Sequence, residues 1–287
     1  MTTDNDVFDM NAAPMRIGAV RLKVRDLDAV TTFYRRVLGL QTIESGDARA
    51  LLGVGKTPLL ELHGNPSLAP LDRRQAGLFH TAFLLPSRAD LGRWLGFAIE
   101  NGIPLQGASD HIVSEALYLS DPEGNGIEIY ADRAPSHWRN ARGEIHMTTE
   151  PMDAQGALAS AAGTQWAGFP EDGFIGHVHL QVGDLEKAKG FYMDVLGFDL
   201  ASDYPGAAFL ASGGYHHQLA GNVWNSRRAG KRPEGMAGLD TVEIVVGDAG
   251  VLAAIAARSE SAGIASIRNA DGLTLHDPWG TAIMLKN

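Results

Sequence analysis

A segment near the start of the chain returns 158 residues later. Ala19-Val-Arg-Leu-Lys-Val-Arg-Asp-Leu-Asp, followed by Phe33-Tyr34 and Val37-Leu38-Gly39, matches His177-Val-His-Leu-Gln-Val-Gly-Asp-Leu-Glu, followed by Phe191-Tyr192 and Val195-Leu196-Gly197. A constant offset over that span marks an internal duplication, which limits the fold before any local propensity is weighed. Looser copies begin at His80-Thr-Ala-Phe-Leu-Leu-Pro-Ser and at Thr241-Val-Glu-Ile-Val-Val-Gly-Asp. Each copy reads as an alternating strand, a capped helix and about three further strands. In the first copy Asp26-Leu27-Asp28 opens the helix, and Ala29, Val30, Phe33, Tyr34, Val37 and Leu38 recur at helical spacing. Gly39 suits the left-handed residue that ends it. The second and fourth copies close with the turns Asp121-Pro122-Glu123-Gly124 and Asp277-Pro278-Trp279-Gly280, each ahead of a last strand.

The first strands are anchored at residues 19, 80, 177 and 241. One such unit is too small to close a core alone. The expected fold is therefore α+β: four βαβββ modules paired into two curved mixed-sheet cups, with helices outside. Residues 1–15 read as a flexible tail, 16–132 as modules 1 and 2, 133–173 as a linker with a short helix near Met152–Ala162, and 174–287 as modules 3 and 4.

With 45% apolar residues in 287, the chain has enough to build real cores. A formal charge of −10 and no run of Lys or Arg argue against nucleic acid or an anionic membrane as partner. The absence of cysteine excludes disulfides, thiolate metal sites and a cysteine nucleophile, and fits a reducing cytoplasm. No stretch approaches the roughly 20 apolar residues of a membrane span, and the polar, acidic Met1–Pro14 is unlike a signal peptide. The expectation is a soluble, cytoplasmic protein acting on a small molecule.

Chemistry concentrates in His111-Ile-Val-Ser-Glu-Ala-Leu-Tyr-Leu-Ser-Asp-Pro-Glu-Gly-Asn-Gly-Ile-Glu128. The Asp121–Gly126 turn separates strand-like runs at Ala116–Ser120 and Ile127–Tyr130. A tight hairpin there holds Tyr118 near Glu128. The first expectation is that Glu128 binds a metal, with His111 and Tyr118 beside it.

Four modules with these signatures resemble the vicinal oxygen chelate superfamily: glyoxalases, bleomycin-resistance proteins and type I extradiol dioxygenases. The resemblance covers nearly the whole chain after the tail. His111, Leu117, Tyr118, Asp121-Pro122, Gly124 and Glu128 together resemble the extradiol ring-cleavage signature of catechol 2,3-dioxygenase-like proteins of the two-domain type. The resemblance implies one ligand in a module's first strand, seven residues before the helix-opening residue, and another in its last strand. The first-strand positions are Ala19, His80, His177 and Thr241, and the last strands offer Glu61, Glu128 and Met284. His80, His177 and Glu128 are the ligands this implies, a set that suits Fe(II), with Mn(II) able to replace it. In most two-domain relatives the triad comes from modules 3 and 4. Here it comes from modules 2 and 3, so these should share one metal-holding cup, within a chain or between two chains, and modules 1 and 4 a metal-free one.

Tyr215-His216-His217-Gln218-Leu219-Ala220 resembles the extradiol His-His-x-Leu-Ala stretch, which gives His217 the role of acid–base catalyst. By the same resemblance Tyr118 bonds a substrate oxygen and His111 lines the pocket. His216, on the opposite face of a strand, is expected to be packed or solvent-facing. His179 is expected to be packed or hydrogen-bonded, and His63, His137, His146, His276 and Glu61 to be ordinary residues. Trp224, Phe209 and Met193 are candidates for the pocket wall. The implied function is an Fe(II)-dependent extradiol dioxygenase that inserts both atoms of O₂ into a catechol-like ring beside its hydroxyls. The alternatives are a glyoxalase-like metal-dependent isomerase or lyase, and a non-enzymatic ligand-binding resistance protein. Paired modules are compatible with a homo-oligomer.

Overall fold

Every module's first strand is followed at once by a side chain that caps a helix. Asp26, Ser87, Asp184 and Asp248 accept from the backbone N–H of Ala29, Asp90, Lys187 and Val251. Each cap satisfies an orphan donor and fixes where the crossover begins. The computed structural model describes residues 7–270 and 272–287. Module 1 comprises β1 (Met15–Val24), α1 (Leu27–Phe33), β2 (Gln41–Gly46), β3 (Arg49–Val54) and β4 (Thr57–Gly64). Module 2 comprises β5 (Gly77–Leu85), α2 (Arg88–Glu100), β6 (Gly107–Asp110), β7 (Ser114–Ser120) and β8 (Gly126–Asp132). The connecting stretch holds β9 (Glu150–Pro151) and α3 (Ala154–Ser160). Module 3 comprises β10 (Phe174–Gln181), α4 (Leu185–Lys189), β11 (Asp199–Tyr204), β12 (Ala207–Ala211) and β13 (Leu219–Asn222). Module 4 comprises β14 (Gly238–Val246), α5 (Ala249–Ser261), β15 (Ser266–Asn269), β16 (Gly272–His276) and β17 (Ala282–Lys286).

Two mixed sheets result. One runs β11-β12-β13-β10-β5-β8-β7-β6-β9, the other β15-β16-β17-β14-β1-β4-β3-β2. Within a module the first and last strands lie parallel, as a helical crossover requires. Between modules the two first strands meet antiparallel, β5 with β10 and β1 with β14. Modules 2 and 3 therefore share one cup and modules 1 and 4 the other, within a single chain.

The helices tie the modules differently. Helices α1 and α4 widen into π-type turns, Tyr34–Leu38 and Gly190–Val195. The Trp94 indole on α2 donates to the Val37 carbonyl at 2.9 Å, and Arg258 on α5 donates to those of Val195 and Leu196 at 2.8 and 2.9 Å. Helix contacts thus join module 1 to 2 and 3 to 4, while sheets join 2 to 3 and 1 to 4. The Asp-Pro turns add further ties. The Glu123 carboxylate accepts from the N–H groups of Arg25 and Asp26, both at 2.7 Å, at the start of α1. Tyr192 donates to Asp277 at 2.8 Å. One contiguous core runs through this lattice, with Leu22, Leu60, Trp94, Val178, Leu219, Val242 and Ile255 fully buried.

The expected flexible tail is overturned from Phe8 onward; Met1–Asp6 lie outside the described residues. Met10–Ala12 forms a 3-10 turn capped by Asp9, and Met10 and Ala13 are buried with Val113, Trp138 and Tyr215. Phe8 rests on the rings of Trp138 and Tyr215. Met10 and Ala13 bury apolar surface there, and Ser212 and Gln218 bond to Met15 and Met10. The stretch 133–173 is also more than a spacer. Strand β9 adds to the edge of β6, and α3, capped by Asp153, packs on α2. That last contact requires a glycine, because a Cβ at Gly92 would sit 1.9 Å from the Ala157 carbonyl oxygen. Gly92→Ala is expected to cost about 1–3 kcal/mol by forcing the helices apart, seen as a lower urea midpoint with an unchanged slope.

Candidate metal centre

The site grows out of one row of cross-strand partners. His177 on β10 faces Ala82 on β5, Ala82 faces Glu128 on β8, and Glu128 faces Tyr118 on β7. Side chains opposed in this way on one face of a sheet stand about 5 Å apart. The Ala82 methyl leaves a hollow in the middle of the row, and His80, two residues along β5 on the same face, leans toward it. His177 reaches the row through a β-bulge at Gly176, where a Cβ would overlap the Tyr130 hydroxyl at 1.8 Å. The hairpin expected to bring Tyr118 to Glu128 does so in direct register.

His80, Glu128 and His177 each present a ligand atom within 4.8 Å of the others, and all three are buried. Among the described residues this is the only such trio of metal-ligating side chains. The donors behave as a set short of a partner. His80 Nε2 lies 2.9 Å from Glu128 Oε2 yet off the line of a hydrogen bond, and it has no other partner. His177 Nε2 is 3.3 Å from the same oxygen. Burial pushes His177 down to about 4 against the pull of Glu128, so the ring is neutral with a free lone pair at neutral pH. Burial also raises the Glu128 carboxyl, but His177 and His80 outweigh it and hold the group well below the usual carboxylate range. Two imidazoles and one carboxylate, converging and dry, suit a divalent cation.

Three candidates surround the trio along a cavity of about 290 Å³. The Tyr118 hydroxyl lies 2.7 Å from His111 Nε2. His111 Nδ1 lies 2.7 Å from the Thr148 carbonyl, so it donates there, which fixes the ring with Nε2 toward Tyr118. The His217 ring stands 4.1 Å from that of His177, centroid to centroid. Phe209 and Trp224 line the cavity as expected, and so does His179, whose Nε2 accepts from the Asn222 amide at 3.0 Å. Met193 does not line it; it packs against the core from the π-type turn.

Of the two expectations for His216, the structure bears out packing and not exposure to solvent. It and His217 lie in the connection between β12 and β13, outside any strand, so alternation does not apply to them. His216 is fully buried, its Nδ1 is 2.8 Å from His217 Nδ1, and its Nε2 donates to Asp132 at 2.8 Å. The other Asp132 oxygen accepts from Tyr215 at 2.8 Å, and Tyr215 meets the Tyr130 hydroxyl at 2.9 Å. Asp132 was visible in principle, because Glu128, Tyr130 and Asp132 share a strand face by the period of two. Thr148, from the connecting stretch, carries no comparable signal.

In the other cup, Glu61 occupies the place of Glu128, but its cross-strand partner is Arg21 where Glu128 has Ala82. Arg21 Nε and His63 Nε2 lie 2.9 and 2.8 Å from its carboxylate, and Arg49 adds a third contact. Burial raises Glu61, but these partners overcome it and hold the group at about 2. That carboxylate is already neutralised by protein.

The model of the Glyoxalase/Bleomycin resistance protein/Dioxygenase superfamily matches residues 16–129 and 174–283. The chain belongs to this superfamily. A member from Bacillus subtilis (strain 168), called catechol-2,3-dioxygenase, is 43% identical over 267 residues, covering 91% of this chain and 93% of its own. Biphenyl-2,3-diol 1,2-dioxygenase 3 from Rhodococcus globerulus is 32% identical over 124 residues, 41% of this chain and 63% of that protein. The crystal structure of glyoxalase I from Zea mays shares the superfamily fold, with a TM-score of 0.58 at 19% identity over 95% of this chain and 92% of its own. If the hollow above Ala82 is the metal seat, Ala82→Val fills it. Metal content by elemental analysis is expected to fall at least tenfold, while the far-UV spectrum stays native.

Proposed function

We propose that the protein is an extradiol ring-cleaving dioxygenase that opens a catechol beside its hydroxyls and inserts both oxygen atoms of O₂, with Fe(II) as its metal. The observation that carries this reading is the donor set. Two imidazoles and one carboxylate converge beside a cavity, a donor set that would hold Fe(II) with room for substrate next to it. His179, which faces the same cavity, is engaged by Asn222 and adds no fourth ligand. Fe(II) held there would supply the open positions at which both catechol oxygens and O₂ meet, and Mn(II) suits the same donors.

The remaining groups prepare the substrate. Asp132 accepts from His216 Nε2, which directs the Nδ1 lone pair of His216 at Nδ1–H of His217. His217 is left with an unprotonated Nε2. Burial holds His217 well below its usual value, which keeps the ring neutral with its lone pair available. It accepts a catechol hydroxyl proton there and returns one to an oxygen of the opened product. Tyr118, oriented by His111 and Thr148, hydrogen-bonds the second catechol oxygen. The identity with catechol-2,3-dioxygenase from Bacillus subtilis supports the same substrate class.

The test is anaerobic loading with Fe(II), then catechol and ¹⁸O₂. A yellow ring-opened product carrying both labelled atoms is expected. Bound iron with no turnover across a panel of catechols would overturn the reading, and Mn(II) loading decides between the two metals. Asp132→Asn should place a donor against His216, reverse both imidazole tautomers and put the His217 proton on the cavity side. A fall in kcat of about 10²-fold is expected, on the scale of one general base, with KM changed little and activity partly regained in Asp132→Glu.

A further inference from the structure

The hairpin that carries His111 turns in a way its sequence should resist. The His111 N–H donates to the Ser114 carbonyl at 2.8 Å, so Ile112 and Val113 are the two central residues between β6 and β7. Turns this short need a positive φ at the first central residue, which glycine or asparagine ordinarily supplies. Here that residue is Ile112, at a φ of +69°. The left-handed region crowds Cβ against the following carbonyl oxygen, and a β-branched side chain there is a genuine outlier. Among the described non-glycine residues only Ala162 and Arg228 share the region, and neither is β-branched.

The surroundings hold the turn in place. Asp110 Oδ1 accepts from the Ile112 N–H at 2.9 Å, and Arg133 Nη2 donates to the other oxygen of that carboxylate. The Arg133 N–H donates to the Val113 carbonyl at 2.9 Å. Val113 itself is fully buried in the cluster of Met10, Ala13, Trp138 and Tyr215. A backbone conformation that costs free energy persists only where its neighbours over-determine it, and such places gather at functional sites.

What the turn delivers is reach. Tyr118 pairs with Gly107, four residues back along β6 from His111, which is about 13 Å of extended strand. His111 Nε2 nevertheless lies 2.7 Å from the Tyr118 hydroxyl. The two side chains therefore bridge that span end to end, with little slack. A hydrogen bond made across it fails once the His111 backbone drifts by about 1 Å. Glycine at position 112 would make the turn without strain and leave that backbone free to drift.

We propose that Ile112 is a positioning residue: its strained, clamped turn fixes the His111 backbone so that the imidazole reaches Tyr118 and orients its hydroxyl. Ile112 does not line the cavity, so it acts through His111. The part given to Tyr118 rests on the ring-cleaving reading above.

The experiment compares Ile112→Gly and Ile112→Asn with the native protein by three measurements. These are kcat/KM for catechol after Fe(II) loading, the urea midpoint, and solvent exchange of the His111 Nδ1–H. The exchange is followed by NMR in the full-length, metal-free protein labelled with ¹⁵N-histidine, the signal being assigned by its loss in His111→Gln. In Ile112→Gly the exchange is expected to quicken at least tenfold and kcat/KM to fall about tenfold, while the urea midpoint is not lowered. Asparagine accepts the same φ and keeps a side chain to stiffen the turn. Ile112→Asn should therefore hold the exchange and kcat/KM within about twofold of native and raise the midpoint. Native exchange and activity in Ile112→Gly overturn the proposal. So does a loss of activity that follows the urea midpoint in both variants, which a merely structural role predicts. If no catechol is cleaved, the ring-cleaving reading fails on its own. The exchange series still decides this one: faster exchange in Ile112→Gly upholds the positioning role, and unchanged exchange removes it.

Discussion

In an antiparallel pair, opposed residues on one face stand within side-chain reach of each other, and so do their neighbours one strand over. Between β5 and β10 that geometry places His177 against Ala82, and β8 then places Glu128 on the other flank of the same alanine. No loop is asked to position a ligand. All three sit on central strands that are hydrogen-bonded on both sides, and the bulge at Gly176 makes the one adjustment the row needs. A one-residue slip of this pairing would turn His177 outward, into the helix layer. The buried Val178, Leu180 and Ile129 on the opposite faces resist such a slip, so the hydrophobic core that stabilises the sheet also sets the register of the site.

The second cup shows how little separates a proposed metal seat from a closed ion pair. Glu61 and Glu128 are counterparts by strand register. Opposite one stands Arg21, opposite the other Ala82, and that difference decides whether the carboxylate is satisfied by protein or left with an unfilled side. A guanidinium brings the charge with it, whereas a methyl leaves room for a charge from outside.

Much of this was legible in the sequence because duplication converts position into depth. The fold followed from the repeat. His80, His177 and Glu128 stood out because separate copies place them at equivalent points of the strand, and Tyr118 because a short Asp-Pro turn fixes its register to Glu128. The failures have physical causes. His216 was assigned by strand alternation, but it lies in a connection that obeys no period. Thr148 acts through its carbonyl, which every residue has, so residue type carries no trace of the role. The first residues looked polar on average, while Phe8, Met10 and Ala13 pack against Trp138 and Tyr215.

The crossed ties between modules bear on how the molecule is made. Helix contacts bind module 1 to 2, so the first half can gather as it leaves the ribosome, but β5 must then wait for β10 with its unpaired edge and His80 uncovered. Residues 86–173 separate the two strands, several seconds of synthesis at roughly 5–20 residues per second. Through that interval β5 is an open, apolar strand edge, free to pair with the same edge of another nascent chain. Coverage of that edge by chaperones or by fast neighbouring helices would decide the yield of folded protein, and His177 would join His80 and Glu128 only when module 3 is complete.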